Sequence, residues 1–119
     1  MKYVLDTSAI INLISRLGNK SIDLFKESLT TDLAYYEIGN FLWKIGREDL
    51  ITHFLNVLKF IHVENVNLNE EVLAIAIKEK LTYYDATYLF LSRKYNATLV
   101  SDDKDLINKG AKKSSEVMI

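Results

Sequence analysis

Lys2-Tyr3-Val4-Leu5-Asp6-Thr7-Ser8-Ala9-Ile10, with the residues that run on to Gly18, reads as a short apolar strand, an acid, and a helix over 8–17 that the glycine stops. A strand as short and apolar as Tyr-Val-Leu suits burial from both sides, the condition of a parallel sheet. Working outward, the same order returns near the other end, where Thr98-Leu99-Val100-Ser101 leads to Asp103 and a short helix over 103–108. In a parallel sheet every strand-to-helix junction lies on one edge, where open α/β folds bind their ligands. Two further acids stand at helix starts: Glu37 inside 34–43, and Asp85 opening a run to Tyr95. The four carboxylates can therefore converge.

The remaining punctuation supports this order. No proline, repeat, low-complexity tract or Gly/Ser linker interrupts the 119 residues, so the expectation is a single domain over 1–119. Helices are expected over 21–28, 34–45, 50–61 and 83–95, and another capped by Asn69 and running to about Leu81. Short strands are expected at 2–5, 30–33, 63–66 and 98–101, with an edge strand at 117–119. Strands alternating with helices imply an α/β fold whose sheet is covered on both faces.

Composition excludes several classes. Apolar residues make up 49% of the chain and charged residues 26%, which fits a globular protein and not a disordered one. There is no cysteine, so disulfides, thiolate metal sites and a cysteine nucleophile are excluded together, and any metal must be held by oxygen or by His53 and His62. The first apolar run breaks at Asp6, too early for a signal-peptide core, and no stretch approaches the ~20 apolar residues of a spanning helix. A soluble, cytoplasmic protein with no membrane partner is expected. The net charge of −1 does not advertise a nucleic-acid partner, but with the four carboxylates set aside the rest of the chain is basic.

Each acid has a bland reading. Asp6 can cap the helix over 8–17, Asp85 closes a capping-box spacing with Thr82, and Asp103 or Asp102 can cap the last short helix. Glu37 resists it: Tyr35, Tyr36, Ile38, Phe41, Leu42, Trp43 and Ile45 surround it, so it is expected to be buried and in need of a cation, with Lys44 as the innocent candidate. Four clustered carboxylates repel strongly unless a counter-ion joins them or some protonate. Oxygen-only donors are what Mg²⁺ and Mn²⁺ prefer, and such a site suits phosphodiester hydrolysis.

Read together, Asp6-Thr7-Ser8-Ala9-Ile10, Tyr36-Glu37-Ile38-Gly39-Asn40, Tyr84-Asp85-Ala86-Thr87-Tyr88-Leu89 and Leu99-Val100-Ser101-Asp102-Asp103 resemble the PIN domain, and in length and segment order the VapC-type toxins of type II toxin–antitoxin pairs. The resemblance spans nearly the whole chain. It implies a three-layer α/β/α sandwich with a short, mostly parallel central sheet, and a Mg²⁺- or Mn²⁺-dependent endoribonuclease that cuts single-stranded regions of RNA. Asp6, Glu37, Asp85 and Asp103 would be the catalytic and metal-binding acids. Thr7, Ser8, Ser101 and Asp102 would support them, and Asp102 is the alternative to Asp103 as the fourth acid. A cognate antitoxin protein and a homodimer are also implied.

Other features carry less. Tyr83, Tyr84 and Tyr88 flank Asp85, where a base could stack on one of them while the others pack. His53 and His62 are remote from the acidic segments, and Lys109, Lys112 and Lys113 form the densest basic run. Two other functional classes compete with a nuclease. One is phosphotransfer through an aspartyl-phosphate on Asp6, the other an inactive binding module that keeps the fold and the groove.

Overall fold

The computed structural model describes residues 1–117. Its sheet has four strands, β1 (Tyr3–Leu5), β2 (Ser28–Thr30), β3 (His62–Val63) and β4 (Thr98–Val100), in the order β3-β2-β1-β4. All three pairings are parallel, with Val4 standing between Leu29 and Leu99. Seven α-helices accompany the strands among the described residues: α1 (Thr7–Leu17), α2 (Ile22–Lys26), α3 (Leu33–Ile45), α4 (Ile51–Leu58), α5 (Glu70–Glu79), α6 (Tyr83–Tyr95) and α7 (Lys104–Ile107).

Period-two alternation sorts the strands' side chains into two cores. Leu5 and Val100 pack on one face with Ile10, Leu13, Phe25, Ile38 and Phe54 from α1 to α4. Val4, Leu29 and Leu99 pack on the other with Tyr88, Leu91 and Leu106 from α6 and α7. The expected α/β/α layering with a parallel central sheet is thus the observed one. No helix among the described residues is long and apolar enough to cross a membrane.

Caps explain the helix starts. Asp6 Oδ1 accepts from the Ala9 amide at 2.9 Å, Asn69 Oδ1 from Glu71 at 2.8 Å, and Thr82 Oγ1 from Asp85 at 3.1 Å. α3 ends at Gly46, whose left-handed φ of 66° a side chain would resist.

The expected boundaries move where side chains outside the apolar pattern intervene. The second strand lies at Ser28–Thr30 and not at 30–33, because the Ser28 hydroxyl donates to the Leu24 carbonyl at 2.7 Å as α2 closes at Lys26. Thr30 Oγ1 then donates to the Leu5 carbonyl at 2.7 Å, pinning β2 to the end of β1, and Leu33 is already helical. The edge strand β3 is only His62–Val63, earlier than the expected 63–66. Of the edge strand expected at 117–119, Val117 is buried but belongs to no strand, and residues 118–119 lie outside those described.

β1 is central: the chain leaves it for β2 on one side and returns as β4 on the other. That reversal makes the β1–β4 edge the switch point at which a doubly wound sheet opens a crevice. Asp6 follows β1 directly, and Asp102 and Asp103 follow β4.

Candidate active site

A cleft of about 630 Å³ opens at that switch point. Asp6, Glu37, Asp85 and Asp103 all line it, with Thr7, Ser8, Tyr36, Asn40, Lys44, Tyr84 and Tyr88 among the other walls. The four acids come from the ends of β1 and β4, the second turn of α3 and the first turn of α6, segments remote in sequence. They are not equivalent.

Asp6 is the buried one, 5% exposed. Its Oδ1 accepts from Ser8 Oγ at 2.8 Å and from the Ala9 amide, and Ser101 Oγ donates to Oδ2. An ionised carboxylate offers about four acceptor positions, so these three donors orient Asp6 while leaving capacity for one more partner. Burial raises its pKa, against the lowering effect of the Ser101, Ala9 and Ser8 donors. Ser101 is tied a second time, since its Oγ accepts from the Asp103 amide at 2.9 Å. One hydroxyl therefore couples the ends of β1 and β4.

Asp85 and Asp103 form a tight group with Asp105, one carboxylate oxygen of each lying within 4.8 Å of the others. Desolvation, then the charge of Asp103, pushes the Asp85 pKa up to about 6. Asp103 is positioned as the N-cap of α7 yet makes no side-chain capping bond, which leaves its carboxylate free for the cleft. Asp102 behaves differently. It accepts from Asn12 Nδ2 at 2.7 Å, from the Ser114 amide at 2.9 Å and from Ser114 Oγ at 2.5 Å. Its amide donates to Ser8 Oγ at 2.9 Å. Burial alone would raise its pKa, but these hydrogen bonds outweigh it and hold the carboxyl below its usual range. Asp102 is not among the residues that line the cleft.

Glu37 corrects an expectation. It is exposed, and no ion pair joins it to Lys44 among the described residues. α3 buries only the stripe Ala34, Ile38 and Leu42, with Leu33 and Phe41 partly covered, and turns other aromatic residues outward, Tyr36 75% and Trp43 78% exposed. Glu37 is held by hydroxyls instead: Thr7 donates to Oε1 at 2.8 Å and Tyr88 to the same oxygen at 3.3 Å. Thr7 and Tyr88 are themselves 3.1 Å apart. Burial drives the Tyr88 hydroxyl far above its ordinary pKa, so it remains a proton donor.

The remaining candidates separate cleanly. Tyr83 is structural, donating to the Asn67 carbonyl and accepting from the Asn69 amide, and Tyr88 serves Glu37. Tyr84 alone of the three is free, 62% exposed at the cleft. His53 packs edge-on against Phe54, His62 lies exposed in β3, and neither lines the cleft. Lys109 pairs with Glu79 at 3.6 Å. Asp105, in the first turn of α7, joins Asp85 and Asp103 without being among the sequence candidates; its signal is the Asp103-x-Asp105 spacing in so short a helix. Lys44, expected as a partner for Glu37, instead lines the cleft as a cation.

The donor set fits a hard divalent cation. It is oxygen-only, and three of its carboxylates lie close enough to repel one another, which helps to raise the pKa of Asp85 after desolvation.

A four-stranded parallel sheet with acids gathered at its switch point is the architecture of the PIN domain, and that family matches residues 3–112. The chain belongs to the PIN-domain family. Its relatives are VapC proteins. Ribonuclease VapC3 of Pyrobaculum aerophilum is 36% identical over 124 residues, which cover 92% of this chain and 95% of the relative. Exonuclease VapC9 of the same organism is 32% identical over 115 residues, 92% of this chain and 86% of its own length. The crystal structure of PAE2754 from Pyrobaculum aerophilum superposes with a TM-score of 0.86 at 29% identity, covering 97% of this chain and 92% of that one.

Proposed function

We propose that the protein is a VapC-type toxin nuclease, an endoribonuclease that hydrolyses single-stranded RNA with Mg²⁺ or Mn²⁺ in the cleft. The observation that carries this reading is the Asp85–Asp103–Asp105 group beside Asp6, an anionic cluster whose mutual repulsion a cation would relieve. Asp6, Asp85 and Asp103 would hold the ion, with Asp105 next to them. When bound, a divalent cation supplies charge stabilisation for the phosphodiester and a more acidic water.

The chain's own residues do the rest. Thr7 and Tyr88 fix Glu37 through one oxygen, which leaves Oε2 without a protein partner among the described residues and able to take a proton from the attacking water. Water oxygen bonds to phosphorus as the bond to the 3′-oxygen breaks, giving 5′-phosphate and 3′-hydroxyl ends. Ser8 and Ser101 keep Asp6 from rotating away, and Lys44 offers a positive charge to the flanking phosphate. The hydrogen bonds that saturate most of Asp6 make it a poor nucleophile, against the aspartyl-phosphate reading. A binding module would have no use for so costly an anionic group.

The family resemblance implies a cognate antitoxin partner and a homodimer. Exposed Trp43, Ile51 and Leu55 on α3 and α4 offer apolar surface that a protein partner could cover.

A circular single-stranded RNA tests the activity, because only an endonuclease can open it. We expect opening in Mg²⁺ or Mn²⁺, none in EDTA, and none with Asp6→Asn, whose amide oxygen still caps α1 and keeps the fold. Equal cleavage by Asp6→Asn would overturn the assignment. Degradation of linear RNA alone would favour an exonuclease.

A further inference from the structure

A second cavity of about 230 Å³ adjoins the acidic cleft and shares three of its walls, Leu33, Tyr36 and Tyr84. Each tyrosine precedes a cleft acid by one residue, Glu37 and Asp85, and both are largely exposed. A strand whose phosphate lies among the acids can therefore run past the two rings. The cavity is smaller than the roughly 300–1,000 Å³ of drug-sized sites, which suits one planar ring system. Its lining includes Asp32 and neither Lys nor Arg, so it repels a phosphate and favours a neutral base.

Two polar groups in it have no other task. Asp32 occupies the N-cap position of α3 with helical φ and ψ of −63° and −19°, and its side chain makes no capping bond. An aspartate in that place ordinarily caps, so this carboxylate is spare. Asn67 stands at a left-handed φ of 58° beside it, its carbonyl held by Tyr83 while its side-chain amide has no partner among the described residues.

We propose that this cavity is a nucleobase subsite: it takes one unpaired base adjoining the scissile phosphate, stacked on Tyr84 or Tyr36 and read along its pairing edge by Asp32 and Asn67. The inference rests on the nuclease reading above. A carboxylate only accepts hydrogen bonds, so Asp32 favours the exocyclic amino groups of adenine, cytosine and guanine over uracil, whose one pairing-edge donor, N3–H, is flanked by two carbonyl oxygens that repel a carboxylate.

The test is cut-site sequencing of a random single-stranded RNA pool digested in Mn²⁺ by the parent, Tyr84→Ala and Asp32→Asn, each checked for an unchanged melting temperature. The parent should show one position next to the cut at which uracil is depleted about tenfold. Asp32→Asn, whose amide can also donate, should bring that depletion to about twofold or less. Tyr84→Ala should lower kcat/KM about tenfold on normal RNA but leave the rate unchanged on a substrate abasic at that position. Cleavage without uracil depletion, or with the same profile and rates in both variants, overturns the subsite alone. No cleavage by the folded parent overturns the nuclease reading and the subsite together.

Discussion

Removing the charge of Asp85 should make the metal-free protein more stable, and the structure sets the size. Asp85 rises from an ordinary 3.8 to about 6, roughly two pH units at 1.36 kcal/mol each, or on the order of 3 kcal/mol. Two unit charges 4.8 Å apart in an effective dielectric of about 20 repel by a similar amount, about 3.5 kcal/mol. Asp85 is only half-buried, and water screens what it reaches, so the realised effect is nearer 1 kcal/mol. A carboxyl whose folded pKa lies above its unfolded value binds extra protons in the native state. Its relative contribution is complete below about pH 4 and is lost as pH rises through about 6.

Asp85→Asn should therefore melt with the parent at pH 4 and about 3–5 °C above it at pH 7.5, in EDTA, by circular dichroism. Taking the difference between the two proteins cancels Asp6, whose raised pKa has the same sign and is present in both. Mn²⁺ should reverse the order by stabilising the parent much more than the variant. An Asp85→Asn protein no more stable than the parent at pH 7.5 would refute the claim that burial and the neighbouring carboxylates disfavour the Asp85 charge in the folded state.

Two other substitutions separate the cleft from its supports. Asp102→Ala leaves the buried Ser114 amide and hydroxyl without their acceptor and should cost about 2 kcal/mol in urea unfolding. Because the Asp102 pKa is lowered in the folded state, that deficit should shrink as pH falls below about 4; a deficit independent of pH would mean the charge is irrelevant. Lys44→Ala should weaken RNA binding at every sequence and reduce the slope of log affinity against log salt by about 0.7, measured by fluorescence anisotropy. An unchanged slope would remove Lys44 from the phosphate path.

What the sequence made legible is what short-range physics decides. Asn69, Thr82 and Asp6 announce α5, α6 and α1 because a cap is a bond between near neighbours, and Tyr3-Val4-Leu5 announces a doubly buried strand because both of its faces must be apolar. The start of β2 was not legible. It depends on the Ser28 and Thr30 hydroxyls choosing the Leu24 and Leu5 carbonyls, and the second of those acceptors is brought near only by the fold. Glu37 misled for a related reason. Aromatic neighbours suggest burial, but α3 uses a narrow stripe for the core and turns Tyr36 and Trp43 to the surface.

The pair Asp102-Asp103 marks where reading a sequence must stop and geometry begin. The two residues are chemically identical, adjacent, and both follow β4, so no pattern of apolar spacing distinguishes them. The bend after Val100 does. It sends Asp102 toward Asn12 and Ser114, where three donors consume it, and sends Asp103 to the cleft, where its neighbours are other acids. Asp102, held by its donors outside the cleft, has a lowered pKa, whereas Asp103 faces the cleft and its charge helps to raise the pKa of Asp85. The partners that make this difference lie about ninety positions away on α1, at Ser8 and Asn12, and twelve positions on, at Ser114. A site assembled across such separations is decided by which donors the fold delivers to each acid, and those donors are ordinary serines and an asparagine that carry no signal of their own.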